Sequence, residues 1–154
     1  MSVSVNPTMA GGGALGAPEA VASSATATMV NGSTIFTASG KVAILQLFSQ
    51  CVTANGATAS TLQYSITPTG LSASTISGAS SSLANAIVGT TVNLDGTALS
   101  TAPTVLPNAT ALSTIRAIVF HAGVLTIVVG VGSTTGTWKH YMRYRPIEPG
   151  AYVY

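Results

Sequence analysis

Only eight side chains in this chain of 154 residues carry a full charge at neutral pH: Glu19, Lys41, Asp95, Arg116, Lys139, Arg143, Arg145 and Glu148. They make up 5% of the residues, where a soluble globular domain carries about 25%. Monomers stay dispersed through interspersed surface charge and a net charge away from zero. A chain that is 47% apolar with a net charge of +2 has little of either, so much of its surface is expected to be covered by other protein. The same balance excludes disorder of the whole chain, which goes with few apolar residues and much charge. The length suits one domain with one core.

Several function classes are poorly served by this composition. Affinity for duplex nucleic acid comes from many Lys and Arg contacts to phosphate, and two lysines with three arginines cannot build a phosphate-tracking surface. Cys51 is the single cysteine, which excludes an internal disulfide framework and fits a small buried hydrophobe better than a nucleophile. The first residues have neither the basic nor the apolar region of a secretory signal, so the sequons at Asn31 and Asn108 are read as chance. The most apolar stretch, 115–132, is interrupted by Arg116, His121 and Gly123. A membrane span needs about 20 predominantly apolar residues, so this stretch reads as two buried strands and no membrane partner is expected.

Residues 1–30 hold three consecutive glycines, Pro7, Pro18 and a run of Ala, Ser and Thr, with few large apolar anchors. They are expected to form an extended arm lying on a neighbouring subunit or partner, ahead of a single β domain over 31–154. In that domain, 33–38 reads as a short strand and a Ser39-Gly40 turn leads into 41–53. Val42, Leu45, Phe48 and Val52 could line a helix there, but strand is the reading adopted. Leu62, Tyr64 and Ile66 alternate with polar residues up to Pro68, the period of a half-buried strand. Residues 70–82 read as a long loop or one short helix running to Ala86. Val88, Thr90, Val92 and Leu94 then keep a period of two up to Asp95-Gly96, a hairpin-type turn pair. Residues 97–108 read as a loop blocked by Pro103 and Pro107. The segments 115–120, 124–131 and 137–145 read as an antiparallel meander. Together these predict an all-β fold, an antiparallel sandwich or barrel of jelly-roll type with an extended N-terminal arm.

Catalysis needs titratable groups close together, and the three carboxylates are scattered. Serines are so abundant that pairing one with a histidine and Asp95 carries no information. Cys51, His121 and His140 lack zinc-site spacing, so no metal or cofactor is expected and the chain does not read as an enzyme. His121 is placed at a turn and His140 at a polar strand position. The glycines of 11–16 match a dinucleotide pattern in letter only, since no strand and helix flank them. The most structured feature is 138–145. As a strand it sends Lys139, Tyr141, Arg143 and Arg145 to one side and Trp138, His140, Met142 and Tyr144 to the other. The second row suits a core. The first is either a solvated basic face or a docking stripe for an acidic partner.

The run 115–151, with its Gly/Thr-rich turn, the Trp138–Arg145 pattern and the Pro146-Ile147-Glu148-Pro149-Gly150-Ala151 tail, resembles small virion proteins of tailed bacteriophages. Residues 33–50 resemble the start of the same domain. The resemblance implies a β-rich structural protein of the particle, of the head decoration or cement type. Such proteins commonly form trimers over capsomer junctions, with arms reaching neighbours. The expected partners are therefore further copies of the chain, as a homo-oligomer and by resemblance a trimer, and the major capsid protein or another virion protein. The expected location is the capsid surface. A neck, tail or fibre-attachment protein is the alternative within this class. A receptor or glycan platform is the alternative outside it, and it would need Trp138, Tyr141, Tyr144, Tyr152 and Tyr154 gathered on an open face.

Overall fold

The computed structural model describes residues 17–95, 98–107 and 117–154. The first part of the expected arm with its glycine cluster, Gly96 of the expected turn and residues 108–116 lie outside this set. Among the described residues the fold is all-β, with eleven strands and no helix. The strands are β1 (Ala20–Ser23), β2 (Ala27–Thr28), β3 (Thr34–Ala38), β4 (Val42–Cys51), β5 (Thr61–Pro68), β6 (Ser74–Thr75), β7 (Thr91–Asn93), β8 (Thr104–Leu106), β9 (Ile118–Phe120), β10 (Gly123–Gly130) and β11 (Thr137–Pro146). They form two antiparallel sheets arranged as a sandwich. The first runs β1-β11-β4-β7-β8, with β2 also on β11 and β9 also on β4; the second runs β3-β10-β5-β6.

β4 and β11 form the spine of the larger sheet, paired from Trp138 opposite Cys51 to Pro146 opposite Val42. The register shifts once, because Arg143 faces Gln46 while Tyr144 faces Ile44. Leu45 is thus an extra residue of β4, a bulge that lets both Ile44 and Leu47 point inward. The helix-like spacing of Val42, Leu45, Phe48 and Val52 does not correspond to one buried face: Leu45 is the bulge residue, Phe48 stacks on Tyr141 of the outer face and Val52 is exposed. The core is built from Ile44, Leu47, Trp138 and Met142 on one sheet and Phe36, Leu62, Leu125 and Ile127 on the other, all 1% exposed or less. Each such aliphatic side chain contributes about 1.5–3 kcal/mol on burial.

The two ends of the sandwich differ. At one end, the connectors 52–60 and 131–136 and the stretch 81–90 are stitched together by the buried side chain of Asn55, and the connector 29–33 joins them through Met29 and Thr134. The Asn55 Nδ2 donates to the Leu83 carbonyl at 2.8 Å, and its Oδ1 accepts from the amides of Thr135 and Gly136 at 2.9 and 3.0 Å. Gly136 must be glycine, because a Cβ there would lie 2.3 Å from the Thr53 carbonyl oxygen. Val131 in this region adopts φ of 69°, a left-handed conformation that costs a β-branched residue roughly 1–2 kcal/mol. At the opposite end the chain's last residues return to the edge of β3. The Thr37 and Tyr154 backbones exchange hydrogen bonds of 2.7 and 3.0 Å, covering an edge that would otherwise be open to another chain.

Four sequence expectations are corrected here. Residues 20–28 do not project from the domain: β1 and β2 lie on β11, with Ala22 opposite Met142 and Ala27 opposite Trp138. Small side chains fit beside the bulky row of β11, and strand pairing needs only backbone donors and acceptors. Residues 104–106 are a strand despite Pro103 and Pro107, because β8 is a short sheet edge where the missing N–H groups cost little. The strand that ends at Asn93 is not joined to its partner by a two-residue hairpin turn. Asn93 pairs with Thr104 across a ten-residue connection, and Asp95 instead accepts a hydrogen bond from the Thr104 hydroxyl at 3.1 Å. The last segments are not a meander, since β9 and β11 pair with β4 whereas β10 pairs with β3 and β5. The bend at His121 carries the chain from one sheet to the other. Gly123 permits the close crossing, since a Cβ there would sit 2.3 Å from the Thr67 carbonyl oxygen.

Replacing Asn55 by Ala removes the acceptor for two amides and the donor to Leu83. The expected loss is about 2–4 kcal/mol, read as a lower urea midpoint at unchanged m-value.

Candidate functional site

The alternation along β11 decides what its side chains can do. Trp138, His140, Met142 and Tyr144 are buried, while Lys139, Tyr141, Arg143 and Arg145 are half-buried on the outer face of the larger sheet. The four residues singled out in the sequence therefore share one face. Cross-strand pairing sets Gln50, Phe48 and Gln46 of β4 opposite Lys139, Tyr141 and Arg143. The Tyr141 ring stacks on Phe48 with centroids 4.9 Å apart and planes 16° apart. The Lys139 ammonium stands 5.4 Å from the Tyr141 ring centre, within reach of a cation–π attraction.

Glu19 joins this face from the other end of the sequence. Its carboxylate lies 2.9 Å from Arg145 Nη2 and 3.4 Å from Arg143 Nε, because β1 runs antiparallel to β11 immediately after it. The stripe is thus three cations with one carboxylate among them. About a third of each side chain remains exposed, so each ion pair contributes at most about 1 kcal/mol. Sequence reasoning missed Glu19, which is 126 residues from Arg145. The available signal was that Glu19 is the sole charged residue of the first forty.

On the inner side of the same strand, His140 Nδ1 lies 2.6 Å from Ser49 Oγ, and Ser49 Oγ lies 2.8 Å from the Tyr64 hydroxyl. Tyr64 also donates to the Val92 carbonyl at 3.2 Å. A neutral imidazole protonated at Nδ1 lets this chain run from His140 to Ser49 to Tyr64 to Val92, each hydroxyl accepting once and donating once. Burial pushes the His140 imidazole down to about 4 and pushes the Tyr64 phenol up. Ser49 and Tyr64 have no exposed surface, so the network ties β4, β5, β7 and β11 together and offers no nucleophile to a substrate.

The remaining candidate groups are dispersed. Cys51 is buried, its thiol pKa raised by desolvation, and its Sγ donates to the Thr53 carbonyl at 3.1 Å. His121 lines a shallow open depression at the C-terminal end together with Lys41 and Glu148. The Glu148 carboxylate accepts from the Lys41 amide at 3.0 Å and faces its ammonium at 3.2 Å, and these contacts, the backbone one foremost, hold its pKa below the ordinary value. Among the described residues no three His, Cys, Asp or Glu side chains gather as metal ligands. No helix there is long and apolar enough to cross a membrane. The five aromatics that a glycan platform would need are not on one face: Trp138 and Tyr144 are buried, and Tyr152 and Tyr154 are exposed beside β3. No known family, curated protein or solved structure matches the chain.

The depressed His140 pKa fixes the sign of a pH dependence. Between pH 6.5 and about 4 the unfolded chain binds a proton that the folded chain refuses. This contribution to stability is therefore complete above pH 6.5 and falls with pH, by roughly 3 kcal/mol once pH 4 is reached. Urea unfolding across this range should show the decline, and His140→Asn should flatten it even though the variant is less stable at pH 7.

Proposed function

We propose that this chain is a structural subunit of a multi-copy protein assembly, specifically a decoration protein of a tailed-bacteriophage head that binds the assembled shell and stabilises it. The observation that carries this reading is the distribution of charge. No residue in β3, β5, β6 or β10 is charged, so the whole outer face of the smaller sheet presents Thr, Ser, Gln, Val and Ile. Glu19, Lys139, Arg143 and Arg145 stand on the opposite face, and Lys41 and Glu148 at the C-terminal end. A face without charge costs little to desolvate against another protein. The resemblance of 115–151 and 33–50 to small tailed-phage virion proteins supplies the specific context.

In this reading the uncharged face is covered by protein in the assembled particle, and the face bearing Lys139, Tyr141, Arg143 and Arg145 is the second contact, matched to an acidic surface of the major capsid protein. Residues 1–16 supply a further contact to the shell. Each contact is weak, and many copies on one lattice make attachment strong.

Quantitative mass spectrometry of purified particles tests the reading. A copy number equal to that of the shell protein, or a simple fraction of it, is expected. A number matching one ring moves the chain to the neck or tail, and absence from particles overturns the proposal. Removing residues 1–16 leaves β1 and its Glu19 pairs in place. It is expected to weaken shell binding roughly tenfold or more, about 1.4 kcal/mol, at an unchanged unfolding midpoint. Equal binding by the shortened chain would remove the N-terminal residues from the mechanism.

A further inference from the structure

We propose that the Asn55 end of the sandwich is the surface through which copies of this chain bind one another. The inference rests on the reading of the chain as a subunit of a multi-copy assembly and names the contact between its copies. The connectors 29–33, 52–60 and 131–136 and the stretch 81–90 contain no Asp, Glu, Lys, Arg or His. They present Val30, Val52, Ile87, Val88 and Val131, five of the eleven large apolar side chains exposed among the described residues. Single exposed aliphatic residues are ordinary, but a group at one uncharged end marks an interaction surface.

Val131 gives the second, independent observation. It is 80% exposed and sits at φ of 69°, a backbone conformation that glycine adopts freely and valine does not. Within a single chain its side chain buries almost nothing to offset that strain. Strained residues persist where the surroundings hold them, and here the surroundings are rigid. The Asn55 bonds fix one side of the connector, and the Thr134 hydroxyl accepts from the Met29 amide at 2.9 Å on the other. The valine is held outward on a preorganised surface, which lowers the ordering cost of binding.

The lack of charge at this end, matched by the chain's own uncharged surfaces, favours a second copy as the occupant. A partner bringing charges to this end would lose their hydration with nothing to pair against. The chain itself offers an uncharged match in the same end of another copy and in the adjoining outer face of the smaller sheet, which Val128, Gln63 and Thr61 carry up to these connectors. Copies meeting through the same end would form a closed, symmetric contact.

Sedimentation velocity of the free protein from about 1 µM to about 500 µM covers the range of such an interface. The wild type is expected to self-associate. Val131→Gly is expected to weaken association about tenfold or more with an equal or higher unfolding midpoint, since glycine relieves the backbone. Val88→Asp with Val131→Asp is expected to be monomeric throughout. A monomeric wild type overturns the inference, as does wild-type association by the two variants. Flotation of a monomeric wild type with uncharged phosphatidylcholine vesicles would assign the end to lipid, which also overturns it. Particle copy number is read separately: multi-copy attachment by a chain that is monomeric in solution sinks this inference and leaves the decoration reading standing, and self-association without particle attachment does the reverse.

Discussion

The pairing of β4 with β11 is the interaction on which the rest of the structure depends. It joins residues about a hundred positions apart, so forming the ladder costs the entropy of closing a long loop. Once formed, the ladder gives each sheet face its character. Inward it aligns Leu47 and Cys51 with Met142 and Trp138, and outward it lays Phe48 on Tyr141 and Gln46 beside Arg143. Four strands of the larger sheet attach directly to these two, β1 and β2 along β11, β7 and β9 along β4, and β8 follows on β7.

The interior is not uniformly apolar, and its polar part has a definite task. Ser49, His140 and Tyr64 satisfy one another across the gap between the sheets, where an unpaired hydroxyl or imidazole would cost more than its hydrogen bond returns. Such a network restricts how the two sheets can slide, because any shift leaves a buried group unpaired. Asn55 does the same for the connectors at one end. Stability and alignment are thus drawn from hydrogen bonding and packing, while Glu19 and the cations of β11 lie on one outer face and Lys41 and Glu148 at the opposite end.

The all-β character was legible in the sequence, as was the division of β11 into an inner and an outer row, because the strand period of two is a local property. The same holds for β5 between Thr61 and Pro68. The meander expected for the last three segments failed because hydrophobic alternation reports that a strand is half-buried and does not report which sheet covers it. The expected arm failed over 20–28 for a related reason. Ala, Ser and Thr look weak as anchors until the bulky Trp138 and Met142 beside them leave room only for small neighbours. Of the candidate face, Lys139, Tyr141, Arg143 and Arg145 were readable from one octapeptide, whereas Glu19, Phe48 and the two glutamines opposite them came from distant positions.

By itself, the sequence determined the fold class, the scarcity of charge and the two-sided nature of its last long strand, since each follows from composition or from spacing within a few residues. Tertiary structure alone decided that Glu19 would join Arg143 and Arg145 on one face, that His140 would be neutral in a buried network, and that an uncharged end would hold Val131 outward. Those outcomes depend on which strands become neighbours, and strand pairing is settled by the free energy of the whole sandwich and not by any local stretch of the chain.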